Sequence, residues 1–144
     1  MSIQIHPTAI VDKEAKLADG VFVGPYTLIG PDVELKENVK IHSHVVIEGH
    51  TTIGAGTEVF PFAALGLMPQ SIHYKGEASS LEIGENCLIR EHVTIHRGTA
   101  NGRMKTTVGN SCYIMIGCHI GHDCILGNNV IMANNATLGG QVTV

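Results

Sequence analysis

Nine His occur in a chain of 144 residues whose charged side chains amount to only 15%. Imidazole is the side chain suited to accepting and returning a proton near neutral pH. The His residues are therefore the first place to look for chemistry. Three of them, His96, His119 and His122, fall towards the carboxy-terminal side, and a Gly139-Gly140 pair follows. A His held on rigid backbone next to an exposed Gly N–H supplies a base and an oxyanion donor. Acyl transfer needs both, because a hydroxyl loses its proton as it attacks while the thioester oxygen takes up charge. His6, His42, His44, His50 and His92 have no such setting and read as solvated or structural turn residues.

Whether those three His meet depends on the elements that carry them. From Ile5, every sixth residue is aliphatic: Val11, Leu17, Val23, Ile29, Leu35, Ile41, Ile47, Ile53, Val59 and Leu65. The position four further on is small or β-branched, as in Ala9, Ala15, Val21, Thr27 and Val33. The phase resumes at Ile83, Ile89 and Ile95, and again from Val108 through Ile114, Ile120, Leu126, Met132 and Leu138 to Val144. A period of six fits neither a helix nor simple strand alternation. It fits short strands joined by tight turns, with both constrained positions facing inward. Three such strands close a coil of eighteen residues, and coils stack through parallel hydrogen bonding. Cys87, Cys112, Cys118 and Cys124 all take the small inward position, so they read as core residues rather than metal ligands, nucleophiles or disulfide partners.

Two segments break the pattern. Residues 66–82 separate Leu65 from Ile83 by eighteen, which fits either one irregular coil or a loop budding from the stack. A second break, about 101–107, adds seven residues and carries Arg103 and Lys105. Loops held out from a rigid solenoid are natural places for binding, and a tolerated insertion fits the pattern equally well. With three sides per coil kept across the second break, the hexads starting at Ile95, Ile120 and Leu138 fall on one side. His122 then stacks directly under Gly140, His96 lies one coil below, and His119 sits at the preceding corner.

Composition excludes several other classes. Ile and Val outnumber Leu, there is no Trp, and 17 Gly are present, a balance that favours strands over helices. A net charge of −4 argues against a nucleic-acid surface. No apolar run is long enough to span a membrane. The amino terminus lacks the pattern of a signal peptide, so a cytoplasmic location is expected.

The strings Ile95-His96-Arg97-Gly98-Thr99, His119-Ile120-Gly121-His122-Asp123-Cys124 and Asn134-Asn135-Ala136-Thr137-Leu138-Gly139-Gly140 resemble those of the UDP-N-acetylglucosamine O-acyltransferases. The similarity extends through His6-Pro7-Thr8-Ala9, Ser43-His44-Val45-Val46 and Ile89-Arg90-Glu91 and covers essentially the whole chain. It implies an all-β fold, a left-handed parallel β-helix shaped as a triangular prism with two inserted loops. It also implies transfer of a 3-hydroxyacyl group from acyl carrier protein to the 3-hydroxyl of UDP-N-acetylglucosamine, the first step of lipid A synthesis. In that scheme His122 is the general base, Asp123 fixes and supports its imidazole, and the Gly140 amide stabilises the oxyanion. His96 and His119 position substrate, and Gln70 lies in the nucleotide-sugar or pantetheine region. The family needs no metal or tightly held cofactor and works as a homotrimer, with sites in clefts between adjacent helices.

Three departures stand beside the resemblance. After Gln70 the family usually has Asp-x-Lys, whereas this chain has Ser71-Ile72-His73, so His73 replaces a substrate-contacting Lys. Gln141 stands where the family commonly has His after the oxyanion Gly. Both bear on which sugar is accepted and leave open a related sugar-nucleotide N- or O-acyltransferase. Val144 occupies an aliphatic hexad position, which reads as truncation before the further coils and helical region of the family. An inactive β-helix scaffold is the non-catalytic alternative. A γ-type carbonic anhydrase shares the helix, but its zinc-ligand spacing does not resemble His119/His122.

Overall fold

In a computed structural model of the chain, which describes residues 2–144, short strands alternate with tight corners from end to end. They form three parallel sheets of seven, seven and six strands, and neighbours within each sheet lie three strands apart in sequence. That order is the signature of a coil with three flat sides, and the molecule is a left-handed parallel β-helix. The general preference for right-handed crossovers rests on helical connections packing back onto a sheet. Here two-residue corners replace those connections, so the preference does not apply.

The hexad explains the packing. Ile29, Leu35, Ile41, Ile47, Ile53 and Leu65 project inward and are essentially fully buried. The small positions fill the space beside the corners: Val21, Thr27, Val33, Val39, Cys87 and Cys112 are buried with them. A Thr in that slot satisfies its hydroxyl on the backbone, as Thr27 donates to the His42 carbonyl at 2.7 Å and Thr57 to that of Gly84 at 2.8 Å. The four Cys are free and buried, in keeping with their reading as core residues. Registers of Leu65 on Ile95, Ile95 on Ile120 and Ile120 on Leu138 keep one aliphatic column continuous through the coils that carry the His. Truncating that column at Ile95, which is fully buried, leaves a void that coils pinned above and below cannot collapse into. Ile95→Ala is expected to lower stability by about 2–5 kcal/mol, read as a drop in denaturation midpoint at unchanged m-value.

Both insertions leave from the same edge, the corner between the second and third sides. Strand Ala64–Leu67 precedes the first and Ser80–Ile83 follows it, so the loop proper is residues 68–79. Strand Thr94–His96 precedes the second and Lys105–Val108 follows, leaving residues 97–104. The first insertion is thus a loop budding from a regular coil rather than an irregular coil. The first loop is shorter than the hexad suggests because Gly66-Leu67 and Ser80–Glu82 continue its flanking strands, and the second is shifted towards the amino terminus because Lys105–Thr107 belong to the strand that follows. Lys105–Thr107 pair with Ser80–Glu82, and Thr106 is buried in a small slot.

Candidate functional site at one edge of the prism

Above the two loops the same edge narrows again to two-residue corners. One is His122-Asp123, after strand His119–Ile120, and the next is Gly140-Gln141, after strand Thr137–Leu138. At such corners the first residue's N–H has no backbone partner in the next coil, so Pro is accommodated there at Pro7, Pro25, Pro31 and Pro61. Gly140 holds that position and leaves its N–H unpaired among the described residues. The second residue is left-handed, φ 64° at both Asp123 and Gln141, a conformation short polar side chains tolerate better than most.

His122 and Asp123 form a built pair. The Asp123 side chain is fully buried and His122 keeps 20% exposure, with Nδ1 and Oδ2 2.8 Å apart. An ionised carboxylate only accepts, so Nδ1 carries the proton and Nε2 of the neutral ring presents a lone pair. Burial alone would raise the Asp123 carboxyl. Hydrogen bonds from the Thr99 hydroxyl, from His122 and from the backbone N–H of Thr99 and Arg103 outweigh it, holding the group below the usual carboxylate range. Gly140 lies over the free end of the ring: a Cβ added there would collide with Cε1 and Nε2 of His122. Below it, the Cys124 thiol donates to the Gly139 carbonyl at 3.0 Å and so orients the peptide that ends in the Gly140 N–H.

His119 and His96 stand beside this pair. His119 occupies the outward face of its strand, between Thr94 below and Thr137 above, rather than a corner as the hexad reading had it. Its Nδ1 shares a 2.7 Å hydrogen bond with the Thr94 hydroxyl. His96 meets it edge-on, ring centroids 4.9 Å apart and planes at 74°. Nδ1 of His96 is buried without a partner. Burial, then the neighbouring His119, His122 and Arg97, push the His96 imidazole down to about 4. His119 is lowered too, by burial first, with a hydrogen bond to the Thr94 backbone opposing and the neighbouring His122 adding to the lowering. Both are neutral rings at neutral pH.

A pH prediction follows from His96. Its folded value lies below the roughly 6.5 of an unfolded His, so the unfolded chain binds the proton first as pH falls. Stability is full above about 6.5 and declines towards the folded value of about 4. Asp123 loses its contribution in the same direction but lower, below the ordinary carboxylate value. Denaturation midpoints measured from pH 7 to pH 4 should fall, and His96→Gln should flatten that slope; an equally steep slope in the variant contradicts the assignment.

The loops meet each other as well. Arg97 donates to the Gly66 carbonyl and to the Tyr74 hydroxyl, each at 2.6 Å, and Glu77 accepts the Ala100 N–H at 2.7 Å. Gln70 and His73 sit exposed on loop 68–79, and no hydrogen bond joins either side chain to the His group among the described residues. Gln141 is exposed beside Gly140, its N–H donating to the His122 carbonyl at 2.8 Å. Thus His96, His119, His122, Asp123 and Gly140 come together with Gln141 beside them, while Gln70 and His73 stay on loop 68–79 without a contact to the group. The sequence reading passed over Thr99 and Arg103 as ligands of Asp123. Of the others, His42 pairs with Glu58 at 2.7 Å, His44 and His92 stack on Phe62, and His6 and His50 are exposed.

A model of the bacterial transferase hexapeptide family (six repeats) matches residues 14–49 and 105–140. The chain is 59% identical over 111 residues to an acyl-(acyl-carrier-protein)–UDP-N-acetylglucosamine O-acyltransferase of Azorhizobium caulinodans, covering 77% of this chain and 41% of that protein. A protein of the same name from Syntrophobacter fumaroxidans is 50% identical over 113 residues, covering 78% of this chain and 44% of its own. The solved UDP-N-acetylglucosamine acyltransferase from Campylobacter jejuni matches with a TM-score of 0.93 at 44% identity, over 97% of this chain and 54% of that one. The chain therefore spans about half the length of these relatives.

Proposed function

The chain belongs to the bacterial transferase hexapeptide family, and on that premise we propose that it carries the acyl-transfer centre of a UDP-N-acetylglucosamine O-acyltransferase. The donor is a 3-hydroxyacyl thioester of acyl carrier protein and the acceptor is the sugar 3-hydroxyl, the first step of lipid A synthesis. The relatives' names support the carrier-protein acyl donor and the sugar-nucleotide acceptor. One observation carries the chemistry: the Nε2 end of an Asp-oriented imidazole lies against the Gly140 backbone, one coil above.

In this reading His122 Nε2 takes the hydroxyl proton as the sugar oxygen bonds to the thioester carbon. The carbonyl oxygen becomes anionic and the Gly140 N–H donates to it. Asp123 keeps Nδ1 protonated and supports the imidazolium. On collapse the C–S bond breaks, the electron pair leaves with the pantetheine sulfur, and His122 returns its proton to that thiolate. The products are the sugar ester and free carrier thiol, with the imidazole regenerated. Neutral His96, its Nδ1 without a protein partner, and His119 position the acceptor by hydrogen bonding. Gln70, His73 and Gln141 border the place where the sugar nucleotide or pantetheine lies. No metal or bound cofactor enters any step. The working assembly is a cytoplasmic homotrimer, with each centre in a cleft between adjacent prisms.

The test is to incubate the purified chain, and a form extended to the relatives' length, with 3-hydroxyacyl carrier protein and UDP-N-acetylglucosamine. Release of carrier thiol in step with a 3-O-acylated sugar nucleotide supports the proposal. Ser71, His73 and Gln141 favour trying amino-sugar nucleotides beside it: turnover only with those, or only with a coenzyme A thioester, gives the related N- or O-acyltransferase instead. No turnover by the extended form with any of them sinks the acyltransferase reading.

A further inference from the structure

The second insertion has a use of its own. Asp123 Oδ1 accepts from the backbone N–H of Thr99 at 2.9 Å and of Arg103 at 2.8 Å. Oδ2 accepts from the Thr99 hydroxyl at 2.6 Å and from His122 Nδ1 at 2.8 Å. Three of the four donors come from loop 97–104, and only His122 lies on the regular coil. The loop is shaped for this. Gly102 and Met104 both donate to the Thr99 carbonyl, closing it into a compact turn. A Cβ on Gly102 would run into the Asp123 carboxylate, and one on Gly98 into the Met104–Lys105 backbone. Thr99 is itself buried, so its hydroxyl has no water to exchange with.

Resting on the acyl-transfer reading above, we propose that loop 97–104 is a carboxylate cradle and Thr99 a positioning residue of the centre. By donating to both oxygens of Asp123, Thr99 fixes the carboxylate plane. It also shares Oδ2 with His122, and so sets how strongly the anion supports the imidazolium. Through Thr99 and Arg103 the insertion thereby acts on the base by way of Asp123.

The groups facing the pair are His96 and His119 on the second side, Arg97 and Arg103 of the loop, Glu77 of the neighbouring loop, and Cys124 beneath. None of them replaces the Thr99 hydroxyl. Removing that hydroxyl strips a positive dipole end from Oδ2, so the potential at His122 becomes more negative and the protonated ring is favoured.

The experiment is an NMR titration of His122 in the parent chain, Thr99→Val and Thr99→Ser, with kcat against pH in the extended form. In Thr99→Val the His122 titration should move to higher pH by roughly 0.5 unit or more, and the acid limb of kcat should move with it while kcat falls. Thr99→Ser keeps the donor and should restore the parent titration. Unchanged His122 titration in folded Thr99→Val makes Thr99 merely structural and overturns the proposal, whatever the substrate proves to be. Should Thr99→Val fail to fold, the parent decides: a carboxyl-labelled Asp123 must stay ionised well below the usual carboxylate range, and ordinary titration there overturns the cradle. Failure of the acyl-transfer reading is separate: it shows as no turnover by the extended form with any of the donors and acceptors above, while the titration shift of His122 in Thr99→Val persists.

Discussion

His122→Ala in the extended form should lower kcat by about 10²–10⁴-fold and leave KM for the sugar nucleotide little changed. Removing the imidazole takes away the proton acceptor but no part of the wall formed by His96, His119 and the two loops. The effect should fall on turnover because the ring acts on a proton in flight rather than on bound ground-state groups. Folding should survive, since His122 is a corner residue whose backbone carbonyl still accepts the Gln141 N–H. The acid limb of the pH profile should disappear with the ring. A purely structural scaffold predicts the opposite, with the remaining function indifferent to the change. If Ala at 122 turns over as fast as the parent, the base is another group.

How far the sequence leads to this arrangement depends on which residues obey a period. Inward positions are legible because a buried slot of fixed size repeats every six residues, and Ile95, Ile120 and Leu138 stack as that rule requires. The same rule says little about outward residues. His119 was expected at a corner because the hexad marks only what faces in; it precedes an inward Ile and therefore stands on the flat face with Thr94 and Thr137. Lys105–Thr107 read as loop because charged and hydroxyl residues look irregular, although in a strand Thr106 fills the small inward slot and its neighbours face solvent. The Asp123 cradle lies beyond any period. Its donors sit 20 and 24 residues before their acceptor, on a stretch without register. The available signal was indirect: Gly98 and Gly102 flank a Thr in an insertion one coil below an Asp.

Gly140→Ala should cost the enzyme about 10²–10³-fold in kcat at a modest cost in stability. The φ of Gly140 is not positive, so an Ala meets no backbone strain there. The loss of backbone freedom in the unfolded chain, worth about 0.4–1 kcal/mol, offsets part of what the displaced contact costs. The requirement for Gly is one of proximity, because the new methyl lands on the Cε1–Nε2 edge of His122. Either the ring swings away from Asp123 or the corner lifts, and both separate the base from the unpaired N–H that must serve the same reacting carbon. A denaturation series run beside the kinetic series separates this loss of proximity from loss of the fold. Activity equal to the parent's would mean that the N–H of Gly140 is not aimed at the oxyanion. Loss of activity in a variant that still folds supports a reacting carbonyl held between His122 and the coil above it.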